Sequence, residues 1–562
     1  MASLTTIAII TLLIPIATFF VIPAAVGYIL KLALRSLGWS LKNKTNARRE
    51  LILSQVRVEE EHYQETAKSA VSSSAGPEDD DWERVDGTVP SVAGNGEPLG
   101  EDWEGIIGFF HPFCNAGGGG ERVLWAAVKA TQERWPKACS SPLSAVCAIY
   151  TGDYDVTKAA MLEKVETRFN IKLHAPTVVL LYLSTRKYVQ SSMYPHFTLL
   201  GQSLGSLIVA FDAFNLLVPD IFIDTIGYAF TIALSKYIFP SVPTGAYVHY
   251  PTISTDMLTS LDDNTGIKGL NSGAGSGWKG VAKKQYWRLF ARLYGWVGSK
   301  VDVVMTNSSW TSAHINSLWG PARRNRELVY KDASVVFPPT AVSEINSAIE
   351  VTAATEASRE PNLLYIAQFR PEKNHALILR AFARFMQNRK SNKTARGTAE
   401  PKLILIGSVR HSSPDETHIY HLRLLAHELQ IRDQTTFICD ASWPTILSHL
   451  RTSSIGTNAM WNEHFGIGVV EYQAAGLISV VHDSGGPRED IVINLDGKGE
   501  TGFRASTEEE FAKGFEDALS LPVNEKVAMR LRARRSAMRF TEEEFARKWI
   551  VEVGKLIDLR RK

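Results

Sequence analysis

Two carboxylates, Glu463 and Glu471, stand with seven residues between them in Trp461-Asn-Glu-His-Phe-Gly-Ile-Gly-Val-Val-Glu-Tyr-Gln-Ala-Ala-Gly476. Gly466 and Gly468 flank the expected start of a helix that runs through Ala475. Amides at a helix start point outward and carry the positive end of the dipole, so the turn Phe465, Gly466, Ile467, Gly468 can hold a diphosphate. Glycines there let a ligand reach the backbone without a Cβ in the way. Glu471, in the first turns, is placed to accept ribose hydroxyls, and Glu463 with its neighbour His464 to hold a hexose. This is chemistry for a sugar nucleotide. An ordinary amphipathic helix with Glu at its beginning has the same spacing, so the pair alone leaves both readings open.

Three other groups bear on that choice. Arg370 and Lys373 lie in Arg370-Pro-Glu-Lys-Asn-His, directly after the strand-like Leu363-Leu-Tyr-Ile-Ala-Gln-Phe, and two cations on such a loop match two phosphates. Exposed loop cations without a ligand are also common. His249 ends the strand-like run Ala246-Tyr-Val-His, at the edge where open α/β sheets bind ligands, although a single histidine is often structural. Gly117, Gly118, Gly119 and Gly120 follow the strand-like Gly105-Ile-Ile-Gly-Phe-Phe and precede a helical pattern. Strand, glycine loop and helix set backbone amides beside a phosphate or sugar, but a flexible turn reads alike. No Gly-Lys-Ser/Thr follows, so this is not a Walker loop.

The elements that must position these groups are two α/β units. Short apolar runs recur at 145–150, 178–183, 221–226, 246–250, 303–306 and 334–337, with helical stretches between. A second series follows at 363–369, 402–407, 435–439, 454–457 and 478–482. Alternating strands and helices predict mostly parallel sheets, and Pro338-Pro339 forms a hinge between the units. On this reading the Glu463 stretch lies between the last two strands of the second sheet. Thr198 to Leu217 and Tyr228 to Phe239 are strongly apolar and read either as core helices or as a face that sits on a membrane.

The run from Leu4 to Leu30 carries no charge and is long enough to cross a bilayer. Lys31, Arg35, Lys42, Lys44, Arg48 and Arg49 follow it, which predicts an anchor with the bulk of the chain on the cytosolic side. Residues 50 to 100 begin as a polar, helix-compatible segment and become rich in Ser, Gly, Pro and acid, reading as a tether. The expected organisation is an anchor at 1–32, a tether at 33–102, a first Rossmann-like domain at 103–337, a second at 338–535, and at 536–562 a helix whose Phe545, Trp549, Val553 and Leu556 dock on the body. With 562 residues, 45% hydrophobic and 21% charged, the chain has ample material for two cores. A net charge of +2 gives no reason to expect nucleic acid. Cys114, Cys139, Cys147 and Cys439 show no metal-type pairing and are expected as free thiols.

The two Glu, Phe465-Gly-Ile-Gly, Phe369-Arg-Pro-Glu-Lys-Asn-His and the Gly-Gly after Asp483 resemble the retaining glycosyltransferases of the GT-B fold, family four. His111-Pro-Phe-Cys-Asn-Ala-Gly-Gly-Gly-Gly-Glu-Arg-Val-Leu-Trp, Ile223-Asp-Thr-Ile-Gly-Tyr-Ala-Phe, Tyr247-Val-His-Tyr-Pro-Thr-Ile-Ser and Asn307-Ser-Ser-Trp-Thr are similar to the endoplasmic-reticulum α-1,2-mannosyltransferases within it. The resemblance spans roughly residues 103 to 560. It implies a GT-B fold of two Rossmann-like domains with a cleft between them, plus an N-terminal transmembrane helix. It further implies transfer of mannose from GDP-mannose, with retention, to a dolichyl-pyrophosphate-linked Man3-GlcNAc2 oligosaccharide, as the fourth and fifth mannoses. By the same resemblance Arg370 and Lys373 neutralise the diphosphate, Glu471 binds ribose, and Glu463 with the amides near Phe465 to Ile467 holds the mannose. His249 sits beside the anomeric carbon, and Gly117 to Gly120, with Gly118 and Gly119 as donor-binding positions, close over the donor phosphates or admit the acceptor. No metal or other cofactor is implied. The implied surroundings are the endoplasmic-reticulum membrane, crossed once, and other mannosyltransferases of the dolichol pathway. Two further readings stay open: a lipid-linked transferase using UDP-N-acetylglucosamine, and an inactive membrane-anchored scaffold.

Overall fold

The computed structural model describes residues 22–73, 103–135, 145–263, 275–391, 399–410 and 413–561. The apolar runs of the first unit become seven strands: β1 (Gly105–Phe110), β2 (Ala145–Thr151), β3 (Val178–Tyr182), β4 (Ile221–Asp224), β5 (Thr244–Val248), β6 (Val303–Thr306) and β7 (Ser334–Val335). They pair in parallel in the order β3-β2-β1-β4-β5-β6-β7. The central strands β1, β2, β4, β5 and β6 are buried throughout, as expected of a parallel sheet covered on both faces.

The second unit forms β8 (Glu360–Ile366), β9 (Leu403–Gly407), β10 (Thr435–Cys439), β11 (Ser453–Asn458), β12 (Ile478–His482) and β13 (Gly502–Ala505), all parallel, in the order β10-β9-β8-β11-β12-β13. The edge strand β13 corrects the expectation that β12 is last. Its four residues, Gly-Phe-Arg-Ala, are too few to show an alternation. In each sheet the strand order reverses once, between β1 and β4 and between β8 and β11. Ligands of open α/β sheets bind at the carboxyl ends of strands at such reversals, and the loops leaving β1, β4, β5, β8 and β11 carry the candidate residues.

The expected anchor at 1–32 lies largely outside the described residues, which open inside one continuous helix, Ile22–Ser73. This helix corrects the tether reading for residues 33–73. Leu41, Ile52, Leu53 and Val56 are buried in the first domain's core, and Arg49 meets Asp220 at 2.6 Å. His174 meets Glu60 at 2.5 Å. At Gly38 a Cβ would collide with the Ile238 carbonyl of helix Ala229–Ile238, so only glycine permits this backbone approach. The remainder of the tether, 74–102, lies outside the described residues.

Helix Thr198–Leu216 is long and apolar enough to cross a membrane. One side of it packs into the domain through Val209, Ala210, Ala213 and Phe214, while Leu204, Ile208 and Phe211 are exposed on the other. It is a core helix with an apolar outer edge. The last helix, Glu542–Arg561, crosses back from the second domain. It buries Phe545, Trp549, Val553 and Leu556 against the first sheet, with the Trp549 indole N–H donating to Thr131 Oγ1 at 3.1 Å. Cys114, Cys147 and Cys439 are free thiols, and Cys139 falls outside the described residues.

Candidate active site

The loop leaving β11 brings Glu463 to the end of the second sheet, and helix Ile467–Ala474 starts just beyond it. Gly466 caps that helix with φ of 105°, a conformation that a side chain would strain. The Val469 and Val470 amides close on the Gly466 carbonyl at 2.9 and 3.2 Å, so the first-turn amides of Ile467 and Gly468 are the ones left to face a ligand. The loop leaving β8 makes a short turn, Pro371–Lys373, ended by Asn374 in the left-handed region. The Tyr365 hydroxyl donates to the Lys373 carbonyl at 2.5 Å and pins this turn.

The two loops meet. Lys373 Nζ lies 2.5 Å from Glu463 Oε2 and 3.1 Å from Met460 Sδ, and the Asn458 amide donates to the same carboxylate oxygen at 3.4 Å. Burial alone would raise the Glu463 carboxyl, but Lys373 outweighs it and holds the group below its ordinary range, ionised. Arg370 Nε is buried with no hydrogen-bond partner among the described residues. Glu471 behaves oppositely: burial outweighs the opposing charge of Arg122 and pushes its carboxyl up to about 7.

The first domain supplies the facing wall. Glu121 in the first turn of helix Gly119–Arg134 accepts the Gly118 amide at 2.6 Å, a side-chain bond that ties the glycine loop to the helix start. Its other carboxylate oxygen stands 3.9 Å from His111 Nε2. His111 Nδ1 lies 2.8 Å from Thr225 Oγ1, and the Thr225 carbonyl accepts from His249 Nε2 at 3.0 Å. Because a carbonyl only accepts, His249 carries its proton on Nε2 and leaves Nδ1 as an acceptor. Burial, reinforced by nearby His111, depresses His249 to about 4, so the ring is uncharged at neutral pH.

The walls approach closely. A Cβ on Gly119 would stand 2.8 Å from Ile467 Cδ1, and one on Gly120 would stand 3.8 Å from His249 Nε2. His464 packs at a tilt against Tyr250 with ring centroids 4.1 Å apart, and burial lowers it to about 4. The Phe465 ring packs between Phe337 and Phe540 at the hinge, so only its backbone is available to the cleft. The structure thus gathers His249, Lys373, Glu463, His464, Ile467 and the glycine loop around one cleft, with Arg370 and Glu471 on its second-domain side.

Residues to which the sequence motifs assign no role hold the two domains together at the cleft. Asp256 Oδ2 accepts from the Asn462 amide across the domain boundary at 2.7 Å and from the Trp310 indole at 3.3 Å, with His314 Nε2 3.4 Å away. The Ser309 amide donates to Asp490 at 2.8 Å, again between domains. Asn462 beside Glu463 was the available sequence signal; nothing in the sequence pairs it with Asp256, which lies 206 positions away.

Residues 104–319 match the family described as ALG11 mannosyltransferase N-terminus, and 349–536 match glycosyl transferases group 1. A Neurospora crassa protein named GDP-Man:Man(3)GlcNAc(2)-PP-Dol alpha-1,2-mannosyltransferase is 56% identical over 543 residues, covering 95% of this chain and 94% of its own. A human protein of the same name is 42% identical, covering 80% of this chain and 87% of its own. Among solved structures, the trehalose 6-phosphate synthase of Burkholderia multivorans superposes with a TM-score of 0.57 at 12% identity, over 81% of this chain and 99% of that one. The sucrose-phosphate synthase of Thermosynechococcus elongatus gives 0.54 at 13%, over 81% and 98%. At such identities these two bear on the fold alone, which is GT-B. The long alignments run through both domains and through the cleft between them, and on that ground the chain belongs to the ALG11 mannosyltransferase family.

Proposed function

We infer that this chain transfers mannose from GDP-mannose to dolichyl-pyrophosphate-linked Man3-GlcNAc2, forming α-1,2 linkages, as the names of its Neurospora and human relatives state for those proteins. The observation that carries the site assignment is the Lys373–Glu463 contact at the mouth of helix Ile467–Ala474, opposite His249. In the proposed site the Ile467 and Gly468 amides, Arg370 and Lys373 receive the diphosphate. As the glycosidic bond breaks, negative charge grows on the β-phosphate, and these donors stabilise it where it develops. Glu463, ionised and fixed by Lys373, accepts hydroxyls of the mannose. His249 stays uncharged and therefore does not repel the positive charge that builds on the anomeric carbon; its Nδ1 accepts a sugar hydroxyl.

The mannose keeps its anomeric configuration. Glu463 is held by Lys373 and reads as a sugar ligand, so attack proceeds on the face the diphosphate leaves, with the leaving phosphate oxygen taking the acceptor proton. The positive charge required comes from side chains and amides, and no divalent cation is invoked. The body works at the cytosolic face of the endoplasmic-reticulum membrane, crossed once by the N-terminal segment, and adds the fourth and fifth mannoses.

The test is transfer by purified protein to a phytanyl-pyrophosphate trimannosyl acceptor from GDP-mannose in EDTA, read by product mass and α-1,2-mannosidase sensitivity. Gain of two sensitive mannoses is expected. Transfer only from UDP-N-acetylglucosamine, or only after a metal is restored, would overturn the donor or the metal-independent mechanism respectively.

A further inference from the structure

Helix Gly277–Gly298 lies outside the cleft, and the proposed reaction makes no use of it. Its sequence, Gly-Trp-Lys-Gly-Val-Ala-Lys-Lys-Gln-Tyr-Trp-Arg-Leu-Phe-Ala-Arg-Leu-Tyr-Gly-Trp-Val-Gly, holds Lys279, Lys283, Lys284, Arg288 and Arg292 and no acid. Trp287, Phe290, Tyr294 and Val297 turn into the domain core. Positions 278, 281, 285, 289, 292 and 296 recur at helical spacing on the opposite side, and all are exposed. Trp278 is 78% exposed, Val281 57%, Leu289 62% and Trp296 48%; with Gln285 and Arg292 between them, the outward ridge is mainly apolar and aromatic and carries a cation of its own. An outward face that soluble packing explains would be polar.

The ridge continues into neighbouring apolar surface. The Tyr286 hydroxyl accepts the Leu200 amide at 3.1 Å, and Phe197, itself exposed, meets Tyr286 edge to face at 5.2 Å. This joins the helix to the outer edge of Thr198–Leu216. At the other end Trp296 stacks on Tyr237 at 6.0 Å beneath Lys300. Lys31 of the long helix lies near enough to act on the Lys300 ammonium, and just before it Val26, Tyr28, Ile29 and Leu30 are exposed.

We propose that helix Gly277–Gly298 lies in the plane of a lipid bilayer, with Trp278, Leu289 and Trp296 in the headgroup boundary and Arg288 and Arg292 on anionic headgroups. Terminal tryptophans, a single sign of charge and an apolar ridge are the features of an interfacial helix. The bilayer is the chosen occupant for two reasons: the cations match anionic lipid, and the ridge runs on to the apolar end of the long helix. The inference rests on the membrane-bound acceptor of the proposed function. It makes the first domain a second attachment point and keeps the acceptor's headgroup and the cleft at a fixed height.

The full chain is reconstituted in phosphatidylcholine vesicles with and without phosphatidylserine, bearing a diazirine side chain at Leu289, at Trp296 or, as control, at exposed Tyr420 of the second domain. Phospholipid adducts several-fold above the control are expected at 289 and 296, with higher yield when phosphatidylserine is present. Water quenching equal to that at 420, or adducts to protein, would overturn the proposal. Arg288→Glu with Arg292→Glu should raise KM for a vesicle-embedded acceptor roughly tenfold and leave kcat on a short-chain acceptor in detergent unchanged; an unchanged KM also overturns it. The adducts form whether or not mannose is transferred, so a wrong reaction assignment and a wrong docking surface give different results.

Discussion

Lys373 and Glu463 act as a unit, and that sets what their removal does. Lys373→Ala removes a cation from the proposed diphosphate site and also leaves a buried carboxylate without its ion pair. We expect kcat to fall about 100-fold or more. Because part of that loss is the orphaned charge, Lys373→Ala combined with Glu463→Gln should lose less than the product of the single losses, with a coupling of about 0.5–3 kcal/mol. Strictly multiplicative losses in the four-variant cycle would deny the pairing. Glu471 predicts a pH dependence. Burial places its carboxyl at about 7, so it is protonated below that pH and ionised above it, and a carboxylate is the better acceptor for ribose hydroxyls. Binding of GDP-mannose, whose diphosphate does not titrate near neutrality, should weaken roughly tenfold from pH 8 to pH 6, and Glu471→Gln should flatten the slope. Calorimetry at three pH values decides it; an equal slope in the variant would remove Glu471 from the donor site.

Two glycines show what the elements demand. Gly466 at φ of 105° starts the donor helix, and Gly466→Ala should strain that start by about 1–2 kcal/mol and weaken donor binding. Gly119 faces Ile467 across the cleft; Gly119→Val should raise KM for GDP-mannose while leaving the melting temperature near that of the parent, which separates the two effects. Much of this was legible beforehand. Buried parallel strands read as apolar runs, so every strand but the short edge strand β13, and the glycine turns that follow β1 and β11, could be placed from sequence. Other features could not, because they depend on distant partners. The segment after Lys31 looked like a tether because its buried positions, Leu41, Ile52, Leu53 and Val56, are sparse among charges, and those charges find partners in Asp220 and His174 only in the fold. Likewise Phe465 sits inside a donor motif, yet its ring serves the hinge.

At the scale of the molecule, the chain crosses between domains twice, near Pro338 and near Thr541, and the crossings touch where the Thr340 amide meets the Phe540 carbonyl at 3.0 Å. That side is a hinge, and the Asp256 clasp lies away from it on the cleft. Hydrogen bonding from His314 leads in holding the Asp256 carboxyl below its ordinary range, with Asn462 and Trp310 contributing. A depressed carboxyl keeps its contribution above the unfolded value and loses it only as pH falls through the folded one, so the clasp is intact at neutral pH. Asp256→Ala removes the acceptor shared by Asn462 and Trp310, and Asn462→Ala removes only the bond between domains. Both variants should fold, since each domain keeps its core. Both should shift the ensemble toward an open cleft, visible as a larger radius of gyration in scattering with GDP bound. An open cleft admits water, which competes with the acceptor hydroxyl for the anomeric carbon. The ratio of GDP-mannose hydrolysis to mannose transfer should therefore rise several-fold, more in Asp256→Ala than in Asn462→Ala. If scattering and the hydrolysis ratio match the parent in both, closure does not depend on this contact, and the Ser309–Asp490 bond becomes the next one to remove.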